Sequence, residues 1–581
     1  MWLLKNMKSL YLIPAIIILL IAVTSCANET VPVDYTSLDS LIENTALSYI
    51  DENNIKGISI GFIDVGNYRT EKGFGNTDAS TFFPMASVTK VITAAAIMQL
   101  VQDGMLELDD KLSDYLPGFD LKKPHPDSPG IKIRDILTHS SGLSRDIMSL
   151  AQGNCPVGEN EILEYINNHP QISPAGYRHL YSNPGFDLLA LVIENVSGLP
   201  YPVYAKENIL EPLNMKSSFF YNPPEDIELT RSYTMFSEEA YEEMPINYIA
   251  AGGLKSNVTE MLHFAEMLLM QSSKTGKMVL EDTSLDKMFS RQNSGVLLDT
   301  DINMGVSVFL EELPPPFTGK LVYHGGGAVF TNTMMLLAPD YGIGVVVFCN
   351  TAGSYHLVEQ LARSMIHEAL EIKTGQSFNP MEHQTPGEAS WQVAERERIT
   401  GDYFTSNNII SIKEERDSVI AIIGENRFPV KYFEDGFFSY FDGFILKVEE
   451  IEGERILFSL SNGLLTPIAK HKDAVTVIIP ESWKQAAGTY VSVTPCPDGA
   501  VKFYESLRIY VRDNNLYLGM LPEKIVRETY GITSEIPALL TPLDETTAAM
   551  QDFGRYGAEP VFFNSDDNTL RFSGLTFKRA D

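Results

Sequence analysis

Apolar and polar positions divide this chain into three regimes. Leu10 to Thr24 is almost wholly apolar. From Leu41 to Ile372, long stretches with helical spacing alternate with short continuous apolar runs, the pattern of helices packed around a buried sheet. From Thr400 onward the apolar positions fall into short alternating runs, the mark of half-buried strands.

Within the second regime, a helix from Leu41 leads into a strand over Gly57–Val65. Ser87 to Gln102 is rich in Ala and Leu, free of Pro and closed by Gly104, and predicts a helix of about four to five turns. Pro84 keeps Phe83 out of helical geometry and sets the start near Ser87. Lys320–Tyr323 and Thr333–Asn350 predict a strand and a hairpin. Leu357–Ile372 predicts an amphipathic helix stopped at Gly375. Gln376 to about Gln392 contains Pro380, Pro386 and Gly387 and reads as a linker.

The third regime offers strands over Ile409–Ile412, Val419–Ile423, Phe428–Phe433, Phe437–Phe441, Phe444–Val448, Arg455–Leu460 and Leu464–Ala469. A second copy begins at Ala487-Gly488-Thr489-Tyr490. Its strands are Leu507–Val511, Leu516–Leu521, Ile536–Thr541, Pro560–Phe563 and Leu570–Phe577. Both copies open Gly-x-Tyr and close on a strand ending in Lys470 or Lys578, which suggests two small up-and-down or lipocalin-like barrels.

The candidate chemistry starts at Ser87-Val88-Thr89-Lys90. On a helix, residues three apart are neighbours, so the Lys90 ammonium faces the Ser87 hydroxyl. A serine needs a base beside it to act as a nucleophile, and helix-start N–H groups favour developing negative charge. A capping Ser with a solvated Lys gives the same four letters. Gly57-Ile58-Ser59-Ile60-Gly61 has the spacing of a nucleophile elbow, but no turn and helix follow it, and Ser59 reads as a strand residue.

Composition narrows the functions. At 581 residues the chain exceeds one core. Its net charge of −32 argues against nucleic acid and against adsorption to anionic lipid. Lys5 and Lys8 precede the first apolar run, and Val23-Thr24-Ser25-Cys26 follows its core. This predicts a signal peptide over 1–25 and lipidation at Cys26, hence an exported, envelope-anchored lipoprotein. An ordinary signal peptide or an uncleaved anchor is the alternative. Cys155, Cys349 and Cys496 form no disulfide framework or metal spacing, and Cys349 reads as a buried strand residue.

Ordered blocks then accumulate. They are Ile131–Leu143, with Thr138-His139-Ser140-Ser141-Gly142-Leu143; Gly176; Tyr181-Ser182-Asn183-Pro184-Gly185; Ile209–Met215; Ala251–Ser256; and His324-Gly325-Gly326-Gly327. With Ser87–Lys90, they resemble the serine β-lactamase and penicillin-binding-protein-like hydrolases, particularly the class C type, over roughly residues 40–370. The resemblance implies an α/β domain over 41–375: an antiparallel sheet flanked by helices, with an all-helical subdomain and Ser87 at their junction. Residues 26–40 would be a tether, 376–395 a linker, 396–472 a first β-barrel and 483–581 a second. Some relatives, including D-aminopeptidases, carry C-terminal barrels that shape access to the site.

The resemblance also implies roles. Ser87 is the nucleophile, with Lys90 and Tyr181 moving its proton. Asn183 orients Lys90, and the Ser87 and Gly327 N–H groups form an oxyanion hole. For the family's third, strand-borne element, Lys274-Thr275-Gly276 lies in a polar loop and Lys373-Thr374-Gly375 at a helix end. His324-Gly325-Gly326-Gly327 alone has strand signals around it, and His324 is expected to contact substrate. A His and a Gly where the family often has Lys and a hydroxyl weaken carboxylate binding. They favour neutral esters, amides or peptides over β-lactams. No cofactor or metal is implied. The expected function is an acyl-enzyme peptidase or esterase acting on small molecules or peptides. The alternatives are a β-lactamase or penicillin-binding protein, or a binding protein that kept the fold.

Overall fold

A computed structural model describes residues 33–146, 159–221, 223–241, 246–270, 278–296, 302–377 and most of 387–580. The segment 1–25, Cys26, Cys155, Lys274-Thr275-Gly276 and Cys496 lie outside the described residues. Among those described, no single helix is long and apolar enough to cross a membrane.

The first domain is built on a seven-stranded antiparallel sheet. Its strands are β1 (Gly57–Asp64), β2 (Tyr68–Gly75), β3 (Asn303–Met304), β4 (Phe309–Glu312), β5 (Lys320–Gly327), β6 (Asn332–Ala338) and β7 (Ile343–Cys349). Their order is β2-β1-β7-β6-β5-β4-β3. The central strands β6 and β7 are buried along their whole length, which explains their continuous apolar runs. Alternate residues serve two cores. Val345, Val347 and Cys349 pack with helices α1 (Thr36–Asn53) and α6 (Tyr355–Thr374). Val346 and Phe348 face the other core, with α5 (Val258–Leu269) and the helical part of the domain.

Ser59 sits in β1 with its hydroxyl bonded to Asp78 O at 2.8 Å, a strand residue and no elbow. Lys373 lies in the last turn of α6 and ion-pairs with Asp64 at 2.6 Å, and Gly375 ends the helix at φ 69°. The Ser87 region begins as a short 3-10 turn, Ala86–Val88, and continues as α2 (Thr89–Gln102). That helix is buried nearly all round. It joins α3 (Asn183–Ser197) and the short turn α4 (Ile249–Gly252) to form the helical part.

The C-terminal domains are all-β. Eight strands from Gly488–Ser492 to Leu575–Arg579 form a closed barrel filled by Trp483, Tyr490, Leu518, Phe572 and Phe577. The preceding domain, Gly401–His471, is a nine-stranded antiparallel sheet. Each domain starts alike. Gly401 and Gly488 have φ of 150° and 155°, and a buried tyrosine follows two residues later. The Tyr403 hydroxyl donates to Ile399 O at 2.9 Å, and Tyr490 to Ala486 O at 2.8 Å. In each, the first strand pairs with the last.

They differ at one place. The expected strand Phe428–Phe433 is broken into Asn426–Pro429 and Lys431–Tyr432, and these two pieces are the edges of the nine-stranded sheet. Pro429 has no N–H to donate to a ladder, so strand pairing stops there. Because the edges are consecutive in the chain, the sheet curls back on itself with its seam at Pro429.

Both β domains dock on the helical part. Lys123 reaches Asp544 at 3.1 Å and Thr547 at 3.0 Å, and His169 meets Phe562 edge-on. Tyr177 packs against Ile456 and Phe458 of the nine-stranded sheet.

Candidate active site

Three segments converge on Ser87. The first is its own turn. Ala86 has φ 46°, a left-handed conformation that a residue with a Cβ adopts at a cost of about 1–3 kcal/mol. Neighbours on both sides hold it there. Met85 N donates to Leu254 O at 2.8 Å, and Met85 O accepts from the Thr333 hydroxyl at 2.9 Å. The bend turns Ser87 toward the end of β5, where its side chain is half-buried.

The second segment is β5. A Cβ at Gly326 would lie 2.4 Å from Met85 O and 3.2 Å from Ser87 N, and one at Gly325 would lie 2.1 Å from the Tyr355 hydroxyl. Only glycine lets this strand press against the Ser87 turn. Gly327, at the strand end, is exposed. His324 is 1% exposed, with Nδ1 2.8 Å from Gly325 O and Phe309 packed beside its ring. The expectation of a substrate-contacting imidazole therefore meets a ring turned into the wall. What the strand presents to Ser87 is backbone.

The third segment runs from His139 to α3. Lys90 is fully buried, and its Nζ lies 3.4 Å from Ser87 Oγ. It donates to Asn183 Oδ1 at 2.7 Å and to Ala251 O at 2.8 Å. Asn183 opens α3, whose N-cap Ser182 accepts from Gly185 N at 3.2 Å. The Asn183 amide donates in turn to Asp146 at 2.5 Å, and Asp146 pairs with Arg145 at 2.9 Å. Lys90 Nζ also stands 4.8 Å from the centre of the Tyr181 ring. The structure thus brings Ser87, Lys90, Tyr181, Asn183 and the 325–327 glycines together.

Four residues at or near this site were given no role by the sequence. His139 stacks on Tyr181 with ring centres 4.0 Å apart, and its Nδ1 accepts from Ser182 N at 3.2 Å. That bond fixes the proton on Nε2, and burial drives the imidazole well below its ordinary pKa, so the ring is neutral. Asp146 ties Asn183 down. Asp187 is buried one turn after Asn183. Glu559 comes from the closed barrel, where burial and the nearby Asp146 carboxylate push its carboxyl up to about 8. Among the described residues, no cluster of His, Cys, Asp and Glu is arranged to hold a metal.

Comparison with known proteins places this geometry. A sequence profile described as Beta-lactamase matches residues 42–369, more than half the chain. Protein flp of Staphylococcus aureus (strain MW2) is 27% identical over 354 residues, covering 57% of this chain and 66% of that protein, so the chain spans just under two thirds of its length. The N-acetylmuramyl-L-alanine amidase of Bacillus subtilis (strain 168) is 25% identical over 309 residues, 46% of this chain and 68% of that protein. Among solved structures, the octameric penicillin-binding protein homologue from Pyrococcus abyssi superposes with a TM-score of 0.50 at 22% identity. That match covers 84% of this chain and 99% of the other, and it speaks to fold alone. The chain belongs to the beta-lactamase family of serine hydrolases.

Proposed function

We propose that this protein is an exported serine hydrolase that cleaves amide or ester bonds of small peptides or esters through an acyl-enzyme on Ser87. The observation that carries the reading is the fully buried Lys90 ammonium, 3.4 Å from Ser87 Oγ and held by Asn183 and Ala251. Burying a lysine is costly unless it is well hydrogen-bonded, so its retention beside one hydroxyl points to chemistry.

In the first half-reaction, Ser87 Oγ bonds to the substrate carbonyl carbon and its proton passes to the Lys90–Tyr181 pair. The carbonyl oxygen takes the negative charge between the Ser87 and Gly327 N–H groups. Collapse breaks the bond to the leaving amine or alcohol, which takes the proton back. Water then attacks the acyl-enzyme through the same cycle and frees Ser87. Asn183 keeps Lys90 aimed. The small neutral wall at Gly325–Gly327 favours substrates without a carboxylate next to the scissile bond. The amidase name of the Bacillus subtilis relative supports amide cleavage. The signal-like segment and Cys26 support an envelope location.

The test is a labelling map. The purified chain from residue 27 onward is treated with a fluorophosphonate, and the adduct is located by peptide mass. A Ser87 adduct that disappears in Lys90→Ala is expected, together with turnover of simple esters or amino-acid amides well above that of a chromogenic cephalosporin. An adduct elsewhere, or none, overturns the assignment. Sustained cephalosporin turnover equal to ester turnover moves the protein to the β-lactamases. A stable penicillin adduct without turnover moves it to the penicillin-binding proteins.

A further inference from the structure

Asn183 and Asp187 stand one turn apart on α3, and so lie on the same side of the helix. Asn183 accepts directly from Lys90 at 2.7 Å. The Asp187 carboxyl reaches the same lysine by another route. Its Oδ1 accepts from Ala250 N at 2.9 Å and Ala251 N at 3.3 Å. Those two residues form the turn α4, whose Ala251 carbonyl accepts from Lys90 Nζ at 2.8 Å. The Ala250 carbonyl accepts from the Thr93 hydroxyl, one turn along α2 from Lys90, at 2.6 Å. Asp187 is 5% exposed, and its Oδ2 has no hydrogen-bond partner among the described residues. Its helical neighbours Phe186, Leu188 and Leu189 are fully buried and apolar. A carboxyl with one orphaned oxygen in such a place weakens the core unless something offsets it.

We propose that Asp187 is a positioning residue for the Ser87 reaction: it clamps the turn that holds Lys90, and its charge sets the pH at which Lys90 gives up its proton. This rests on the hydrolase reading above. The titratable groups around Asp187 are Lys90 from α2 and Tyr201 from the following helix. Those around Lys90 are Asp187, His139 and Tyr181. Burial holds the Tyr201 phenol above its ordinary pKa and the His139 imidazole below its own, so both stay neutral near pH 7. Burial also lifts the Asp187 carboxyl to about 7, against the pull of the two N–H bonds and of Lys90. Asp187 therefore changes charge near pH 7, within electrostatic reach of Lys90.

The sign follows. A carboxylate near Lys90 favours the ammonium, so an uncharged residue at 187 lets Lys90 deprotonate at lower pH. Asp187→Asn keeps an oxygen for the Ala250 and Ala251 N–H groups and removes only the charge. The measurement is the rate of fluorophosphonate labelling of Ser87 in the full exported chain, from mildly acidic to alkaline pH. In Asp187→Asn, the limb that belongs to Lys90 moves to lower pH by about one unit. It is the acid limb if neutral Lys90 is the base, and the alkaline limb if its ammonium supports a Tyr181 phenolate. Asp187→Ala loses the clamp as well and labels more slowly than Asp187→Asn at every pH. If Asp187→Asn does not fold, the position of the same limb in Asp187→Ala, which also lacks the charge, carries the prediction. Superimposable profiles, or a move to higher pH, overturn the proposal. Failure of the hydrolase reading looks different: wild-type chain unlabelled at Ser87, or labelled equally fast in Lys90→Ala.

Discussion

The first domain and the closed barrel bury their interiors in opposite ways. Around Ser87 the core contains Lys90, Asp187, His139 and His324, all at most 5% exposed, and the hydrogen bonds of Lys90 and Asp187 run into one another. Inside the barrel, the large buried side chains are Trp483, Tyr490, Phe563, Phe572 and Phe577, and they fill it. A packed apolar interior supplies shape. A polar interior weakens a domain unless every group is paired, so its presence marks where the chemistry sits. In the closed barrel, what lies toward the Ser87 side is a surface residue of that domain, Glu559 beside Asp146, and not its apolar centre.

The largest effect is expected at Gly326. Gly326→Ala places a Cβ 2.2 Å from the Thr333 hydroxyl and 2.4 Å from Met85 O, and Met85 O is backbone. Either β5 or the Ser87 turn must move. A displacement of that size at a reacting centre costs about 10²-fold, read as the rate of Ser87 labelling. The melting of the barrel should not change. A variant that labels at the wild-type rate would show that β5 does not set the geometry of Ser87.

Much of this site was legible in the sequence, and the reason is local. Ser87 and Lys90 share one helical turn, and the strand signals around His324-Gly325-Gly326-Gly327 separate it from two competing Lys-Thr-Gly strings. Gly375 indeed ends α6. The burial of His324 was not legible, because alternation along β5 does not say which face the glycines turn toward Ser87. Asp187 left one signal that was passed over, an acidic residue inside the apolar run Phe186–Leu189 one turn after Asn183. Pro429 carried a readable warning, since proline inside a strand pattern marks an edge. Glu559 carried none. Its meeting with Asp146 exists only once the barrel has docked, more than four hundred residues along the chain.

The second test works from the barrel side. Trp483 is fully buried and donates its indole N–H to Asp544 O at 3.1 Å. Trp483→Ala removes the largest side chain of that core, at a cost of about 3–5 kcal/mol to the barrel. If the comparison holds, calorimetry shows the barrel transition at lower temperature, while Ser87 labelling in the cold stays within about twofold of wild type, a difference in barrier well under 1.4 kcal/mol. A larger loss of labelling with the barrel still folded would mean that its interior, and not only its face, shapes the site.

The smallest effect on Ser87 labelling is expected at Glu559, where the two regions meet. Its carboxyl is buried beside Asp146 and Arg145, bonds to Ser573, and has one oxygen without a hydrogen-bond partner among the described residues. Burial first, and then the Asp146 charge, raises it from an ordinary value of 4.5 to about 8. Between those values the folded chain holds a proton that the unfolded chain has released. Stability from this group is therefore full below 4.5 and declines as pH rises toward 8. Glu559→Gln has no proton to lose. Its melting temperature relative to wild type should rise from about pH 5 to about pH 8, by a few degrees for each kcal/mol of relief. Parallel curves for the two proteins would place the Glu559 carboxyl in water, away from Asp146. A gain at pH 8 accompanied by altered Ser87 labelling would carry the barrel's influence through Asp146 and Asn183 to Lys90, since Asp146 lies beside the Glu559 carboxyl and accepts from the Asn183 amide, which in turn accepts from Lys90.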